Sequence, residues 1–383
     1  MTARIKALTG ANIHDGHVLH TDHALLLSNT EGCRIVPARD VPQECEVVAL
    51  EGGLITPGFV DLQVNGGGGV LFNDDPSVAT LRTIALAHEG LGTVALLPTL
   101  ITDSPAKTRA AIDAVAAAIA EGVRGIVGLH LEGPHLALAR KGAHDGSLIR
   151  PMGDDDLALL IVAAERLPNL MVTVAPESVT LDQMRHLSEA GVILSLGHSD
   201  ADRAACHAAF DAGVRCVTHL FNAMSQLGSR EPGLVGATLE REDVYAGLIA
   251  DAVHVHPATM AIALAAKPRS DRVFLVTDAM APAGSAIDRF VLSGREVFRK
   301  DRRLTLSDGT LAGADLDMAT ALAVMTGQVG DPVEKAVARA TSTPAMLLRD
   351  TGGVGRLDAS TRWVNYLPPA DSGRAITTRL GAD

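Results

Sequence analysis

Aromatic residues are scarce in this chain, with one Trp, two Tyr and seven Phe among 383 residues. Its core must therefore be built from Ala, Val, Leu and Ile. Cysteine is also rare. Cys33, Cys45, Cys206 and Cys216 form no C-x-x-C pair and suggest no disulfide framework, which fits a reduced cytoplasmic protein with buried thiols. No apolar run is long enough to span a bilayer, and the start "MTARIKALTG" lacks the apolar stretch of a signal peptide. Blocks of basic residues are absent and the formal net charge is −12, which argues against nucleic acid or an anionic membrane as partner. An anionic ligand would need its own local cationic pocket.

The length allows one large barrel or two ordinary domains, and 47% hydrophobic residues can fill a sizeable core. Residues 1–53 read as short β segments that alternate apolar and polar residues and break at Gly, Asn and Asp. The pattern then changes to apolar strands alternating with helices. The strands are "LITPGFVDLQVNG", "TVALLPTL", "GIVGLHLEG", "LMVTVAPE", "VILSLGHS", "CVTHLFN", "YAGLIAD" and "VFLVTDAM". Eight such units predict a (β/α)8 barrel over residues 54–350. Several helices begin at Ser or Asp and stop at Gly, as capping favours, and "DDD" at 154–156 reads as a helix start matched to the dipole. A β-hairpin insertion is expected near 286–312. The tail from 351 to 383 returns to β character and is expected to join residues 1–53 in one small β-sandwich domain.

Chemistry in such barrels collects at the C-terminal ends of the strands. Polar residues fall there repeatedly: Gln63 and Asn65, His130 and Glu132, His198, His219 and Asn222, Asp251 with His254 just beyond, and Asp278. One carboxylate with two imidazoles suits Zn²⁺ or a similar divalent ion with a position left open. Glu132, His198 and His219 are the natural set, one from each of three strands. His130 competes, because it shares a strand face with Glu132, although a barrel-filling histidine is the simpler account of it. Asp278 ends an apolar strand, where a carboxylate is costly to bury alone; it suits a general base.

The segments "ITPGFVDLQVNGGGGV", "LHLEGPHL", "KGAHD", "VAPE", "SLGHSDA", "THLFNAM", "REPGLVG", "IADAVHV", "LVTDAM" and "DGTLAG" follow one another in order. Together they resemble the N-acetylglucosamine-6-phosphate deacetylase family of the amidohydrolase superfamily, from about residue 54 to 350. The resemblance implies a hydrolase that removes acetate from the 2-amino group of a sugar phosphate. It implies Glu132, His198 and His219 as metal ligands, Asp278 as catalytic acid/base, and His144 at the scissile carbonyl. Sugar contacts are implied at Asn222, Ala223, Leu311 and Gly313, with Gln63 and Ala143 also near the substrate. Arg230 and His254 match phosphate-binding positions, and the loop carrying Arg230 tends in the family to reach a neighbouring site, which implies a homodimer.

Many amidohydrolases carry His-x-His on the first strand to hold a second metal. Here Gln63 and Asn65 stand instead, and neutral amides are poor ligands, so a single ion per subunit is expected. Zinc fits best, with iron, cobalt and manganese also acceptable. His256 makes an apparent His-x-His with His254, but Pro257 is expected to start a helix, leaving His256 exposed and non-ligating. Two other readings stay open: deacetylation of a different N-acyl amino sugar, such as galactosamine 6-phosphate, and a non-catalytic phosphosugar-binding barrel. An aldolase or isomerase is disfavoured, because no strand end carries a candidate Schiff-base lysine.

Overall fold

The computed structural model describes residues 5–28, 32–361, 363–369 and 376–379; the expected terminal segments extend in part outside these. Eight parallel strands form the centre: β1 (Phe59–Val64), β2 (Thr93–Ile101), β3 (Leu129–Glu132), β4 (Leu170–Val174), β5 (Ile193–Leu196), β6 (Cys216–Val217), β7 (Tyr245–Leu248) and β8 (Val273–Leu275). Each pairs with the next in sequence. The ring closes at the end of β1 and just beyond β8, where Asp278 N–H donates to Gln63 O at 3.0 Å and Asn65 N–H to Ala279 O at 2.9 Å.

The helices start where the sequence provides caps. Ser77, Ser104, Asp202 and Asp317 each accept a backbone N–H from the first turn of the helix they precede. Asp156, the last of the three aspartates, accepts Gly153 N–H at 3.1 Å. Pro257 opens the helix Pro257–Ala266, with His256 exposed as its N-cap. With so few aromatics, the strand–helix interface is filled by buried aliphatics such as Leu81, Ile84, Val115, Leu160 and Leu194. Full burial of each such leucine, isoleucine or valine stabilises by about 1.5–3 kcal/mol. No helix among the described residues is long and apolar enough to cross a membrane.

Three expectations need correction. The first strand is two elements. Leu54–Pro57 pairs with Asn12–His14 and Trp363–Leu367 in a five-stranded terminal sheet, and only Phe59–Val64 enters the barrel. They part at Gly58, where an added Cβ would lie 2.3 Å from the Val94 side chain. The sixth strand is shorter than its apolar sequence suggests, because His219 adopts φ +29° and turns the chain out of the sheet. The insertion is a four-stranded antiparallel sheet rather than a hairpin: Arg289–Leu292, Arg295–Lys300, Arg303–Leu306 and Leu311–Ala314. Its buried Leu292, Val297, Leu304 and Leu306 pack on Leu71, Ile101 and Met280 at the barrel mouth.

The two chain ends build a second layer beside the barrel. A four-stranded sheet of Ile5–Thr9, His23–Ser28, Gly32–Pro37 and Glu46–Ala49 stands with the five-stranded sheet, which also contains Leu19–His20 and Ile376–Arg379. Ile13, Leu25, Ile55 and Val364 form the core between them.

Candidate metal centre

Three side chains from separate strands converge at the mouth of the barrel. Glu132 ends β3, while His198 and His219 follow β5 and β6 in backbone conformations with positive φ, +48° and +29°. Such φ values are uncommon for residues other than glycine and cluster at sites that need a side chain aimed. Here they turn both imidazoles toward Glu132. His198 Nε2 lies 3.0 Å and His219 Nε2 2.9 Å from Glu132 Oε1, and the two nitrogens are 3.1 Å apart.

These spacings fit a small divalent cation. Bonds of about 2.0–2.1 Å in tetrahedral geometry separate donor atoms by about 3.3 Å. The three groups are at most 6% exposed, and two imidazole nitrogens 3.1 Å apart cannot both carry protons. They are the one group of this kind found among the described residues. Burial works to raise the Glu132 carboxyl, but the His198 and His219 rings against it hold it well below the usual carboxylate range. Burial likewise opposes a charge on His219, yet Glu132 raises that ring above its ordinary value. His198 Nδ1 meets the Arg140 carbonyl at 2.8 Å, which presents Nε2 to the centre.

His130, the competing ligand, is elsewhere. It lies inside the barrel with Nδ1 3.0 Å from Leu62 O and Nε2 2.8 Å from Thr173 Oγ1, and burial pushes its pKa down to about 4. It heads a chain of buried hydroxyls that runs through Thr173 and Thr218 to Ser195.

Asp278 follows β8 with φ +50° and faces the triad across Gln63. Gln63 Nε2 donates to Glu132 Oε2 at 3.2 Å and to Asp278 Oδ1 at 3.1 Å. Asn65 Nδ2 donates to the same Asp278 oxygen at 2.7 Å. Both donors therefore meet Oδ1 and leave Oδ2 toward the cavity. Burial and the Glu132 charge push the Asp278 carboxyl up to about 6.

A cavity of about 400 Å³ opens over this group, within the roughly 300–1,000 Å³ usual for small-molecule sites. Ala143, His144, Asn222, Ala223, His254, Leu311 and Gly313 all line it, as do the three convergent side chains and Asp278. Gly313 has φ +67°, and a Cβ there would lie 2.4 Å from Met280 Cγ, so no larger residue fits. Gln63 is not in the lining; its amide is engaged behind the cavity between the two carboxylates. Arg230 is not in the lining either, and stands exposed on its loop.

Two orienting contacts were not legible in the sequence. Thr102 N–H donates to His144 Nδ1 at 3.4 Å and the Thr102 hydroxyl lies 2.8 Å from it. Burial pushes the His144 ring down to about 3, so it is neutral, and an accepting Nδ1 places its proton on Nε2. Asp251 Oδ2 holds His254 Nδ1 at 2.6 Å. Position at a strand end was the available signal for both, and it marked Asp251 but gave no partner.

Residues 54–360 match the Amidohydrolase family. The chain is 44% identical over 300 residues to an N-acetylgalactosamine-6-phosphate deacetylase of Shewanella sp. (strain ANA-3), a match covering 78% of this chain and 75% of that one. It is 32% identical over 342 residues to an N-acetylglucosamine-6-phosphate deacetylase of Haemophilus influenzae, covering 88% of each. Its fold superposes on the crystal structure of N-acetylglucosamine-6-phosphate deacetylase from Pasteurella multocida with a TM-score of 0.91 at 31% identity, covering 98% of both chains.

Proposed function

The chain belongs to the amidohydrolase family, whose members depend on metal, and on that premise we propose that it hydrolyses the acetamide of N-acetyl-D-glucosamine 6-phosphate to glucosamine 6-phosphate and acetate. One observation carries the reading: a carboxylate raised toward neutral pH faces a buried Glu–His–His cluster across a shared amide, inside a cavity of substrate size. Glu132, His198 and His219 would hold one divalent ion, zinc in the first instance. Bound there, the ion supplies Lewis acidity and makes a water nucleophilic near neutral pH.

The remaining work falls to side chains of the protein. Asp278 takes a proton at Oδ2, because its other oxygen is held by Gln63 and Asn65. It then returns that proton to the amine, a poor leaving group until protonated. His144, neutral with its proton on Nε2, donates to the carbonyl oxygen as negative charge builds there. Asn222, Ala223, Leu311 and Gly313 surround the sugar. His254, oriented by Asp251, meets the phosphate. Arg230 is exposed beyond the cavity, which supports a role at the site of a second copy in a homodimer. The four cysteines are free and buried, which fits a reducing cytoplasm.

The 44% identical Shewanella relative favours a second reading, in which the substrate is N-acetyl-D-galactosamine 6-phosphate. Acetate release by zinc-loaded protein from both 6-phosphates and from unphosphorylated N-acetylglucosamine separates the cases. Preference for the glucosamine ester supports the first reading, and preference for its epimer supports the second. No release from any of them would overturn both.

A further inference from the structure

Asp61 is a carboxylate with no part in the chemistry above, and it is fully buried. It stands in β1, two residues before Gln63, at the seam between the first and last strands. Every other neighbouring pair in the barrel is joined by a parallel strand ladder. Among the described residues no such ladder joins β1 to β8; the seam is held by backbone hydrogen bonds of Gln63, Asn65 and Gly66 with Asp278 and Ala279, and farther out of Gly68 and Gly69 with Ala283 and Ala281.

The Asp61 side chain fills the place of the missing ladder. Both its oxygens lie 3.3 Å from Thr277 N–H, Oδ2 accepts the Thr277 hydroxyl at 2.5 Å, and Oδ1 accepts Gln63 N–H at 3.2 Å. The Thr277 hydroxyl oxygen in turn accepts Ala279 N–H at 3.3 Å. Asp278 is thereby bracketed on both sides while it holds φ +50°, a conformation that a loose segment would abandon. The same carboxylate fixes the backbone of Gln63, whose side chain spaces Asp278 from Glu132.

We propose that Asp61 is a positioning residue for the deacetylation, setting Asp278 and its amide donor in place through Thr277 and Gln63. The proposal rests on Asp278 being the acid/base of the reading above. A misplacement of about 1 Å at a reacting group can cost on the order of 100-fold in rate. Asp61→Asn keeps the size and one oxygen that can accept both Gln63 N–H and Thr277 N–H, giving up only the acceptor for the Thr277 hydroxyl, whereas Asp61→Ala removes the size and every acceptor.

The test measures both variants as zinc-loaded protein on the 6-phosphate that the wild type uses. The expected result is an Asp61→Ala kcat lowered about 100-fold, with KM within threefold of wild type and the zinc content unchanged. Asp61→Asn should recover most of that loss. A folded, zinc-loaded Asp61→Ala enzyme with wild-type kcat, or one whose loss is all in KM, overturns the proposal. Amide hydrogen exchange without substrate gives a second readout. Gln63 and Thr277 should exchange at least tenfold faster in Asp61→Ala, or in Asp61→Ser should the alanine variant not fold, while Val172 in β4 stays as in wild type. Unchanged exchange at both amides would sink the positioning role. Wild-type protein that releases no acetate would instead sink the reading of function, and leave the exchange measurement to judge Asp61.

Discussion

Removing one neutral amide should move the pH dependence of this enzyme in a known direction. Asn65 Nδ2 donates to Asp278 Oδ1 at 2.7 Å, at a residue only 3% exposed. A hydrogen bond to a charged group contributes about 1.5–3 kcal/mol, and it favours the ionised carboxylate. Its loss in Asn65→Ala should raise the Asp278 pKa by that amount divided by 1.36 kcal/mol, which is about one to two pH units. The wild-type carboxyl already stands at about 6 because of burial and the Glu132 charge. Asp278 works as a base only when ionised, so activity rises with pH through its pKa, and the acid limb of kcat/KM must move to higher pH in the variant. A resident cation acts on both proteins alike, so the difference between them carries the prediction. The assay is acetate release from pH 5 to 9 at fixed zinc. Rates that converge with wild type at the alkaline end would agree with the reasoning. An acid limb left in place, or a loss equal at every pH, would refute it.

Further outcomes follow from the same geometry. Asp278→Asn should retain zinc, by elemental analysis, while turnover falls by about 10²–10⁴-fold, the usual weight of a general acid–base group. Glu132 raises the His219 ring in the metal-free protein, so zinc must displace a proton that the ring holds more tightly than usual. Apparent zinc affinity should therefore weaken as pH falls, with proton release visible by calorimetry in buffers of different ionisation heat. Arg230→Ala should raise KM for the 6-phosphate by about tenfold or more, the loss of one charged hydrogen bond, and leave the slow reaction of unphosphorylated sugar unchanged. Equal effects on both substrates would remove Arg230 from phosphate recognition.

The barrel was legible because its eight apolar strands recur at regular intervals with capped helices between them. The points where the reading slipped have physical causes. "CVTHLFN" resumes an apolar pair after its histidine, and composition gives no sign that His219 leaves the strand at φ +29°. Leu54–Pro57 and Phe59–Val64 look like one strand because both are buried on both faces; only the Pro57–Gly58 bend divides them. The insertion carries three reversals, which local pattern compressed into one. At the site, Glu132, His198, His219 and Asp278 stood out because ionisable groups at strand ends are costly to bury without a partner. Gln63 stands where a metal-binding imidazole is common, and which groups its amide would meet, two carboxylates, is set by the closing of the ring. Thr102 and the Arg140 carbonyl were silent because a threonine or a main-chain oxygen carries no mark of the imidazole it holds.

Anomalous diffraction from crystals grown with zinc tests the central arrangement most directly. The account requires one peak per chain, bonded to Glu132, His198 Nε2 and His219 Nε2 at about 2.0–2.2 Å. An empty cluster, or an ion held instead by Gln63, Asn65 or His130, would contradict it.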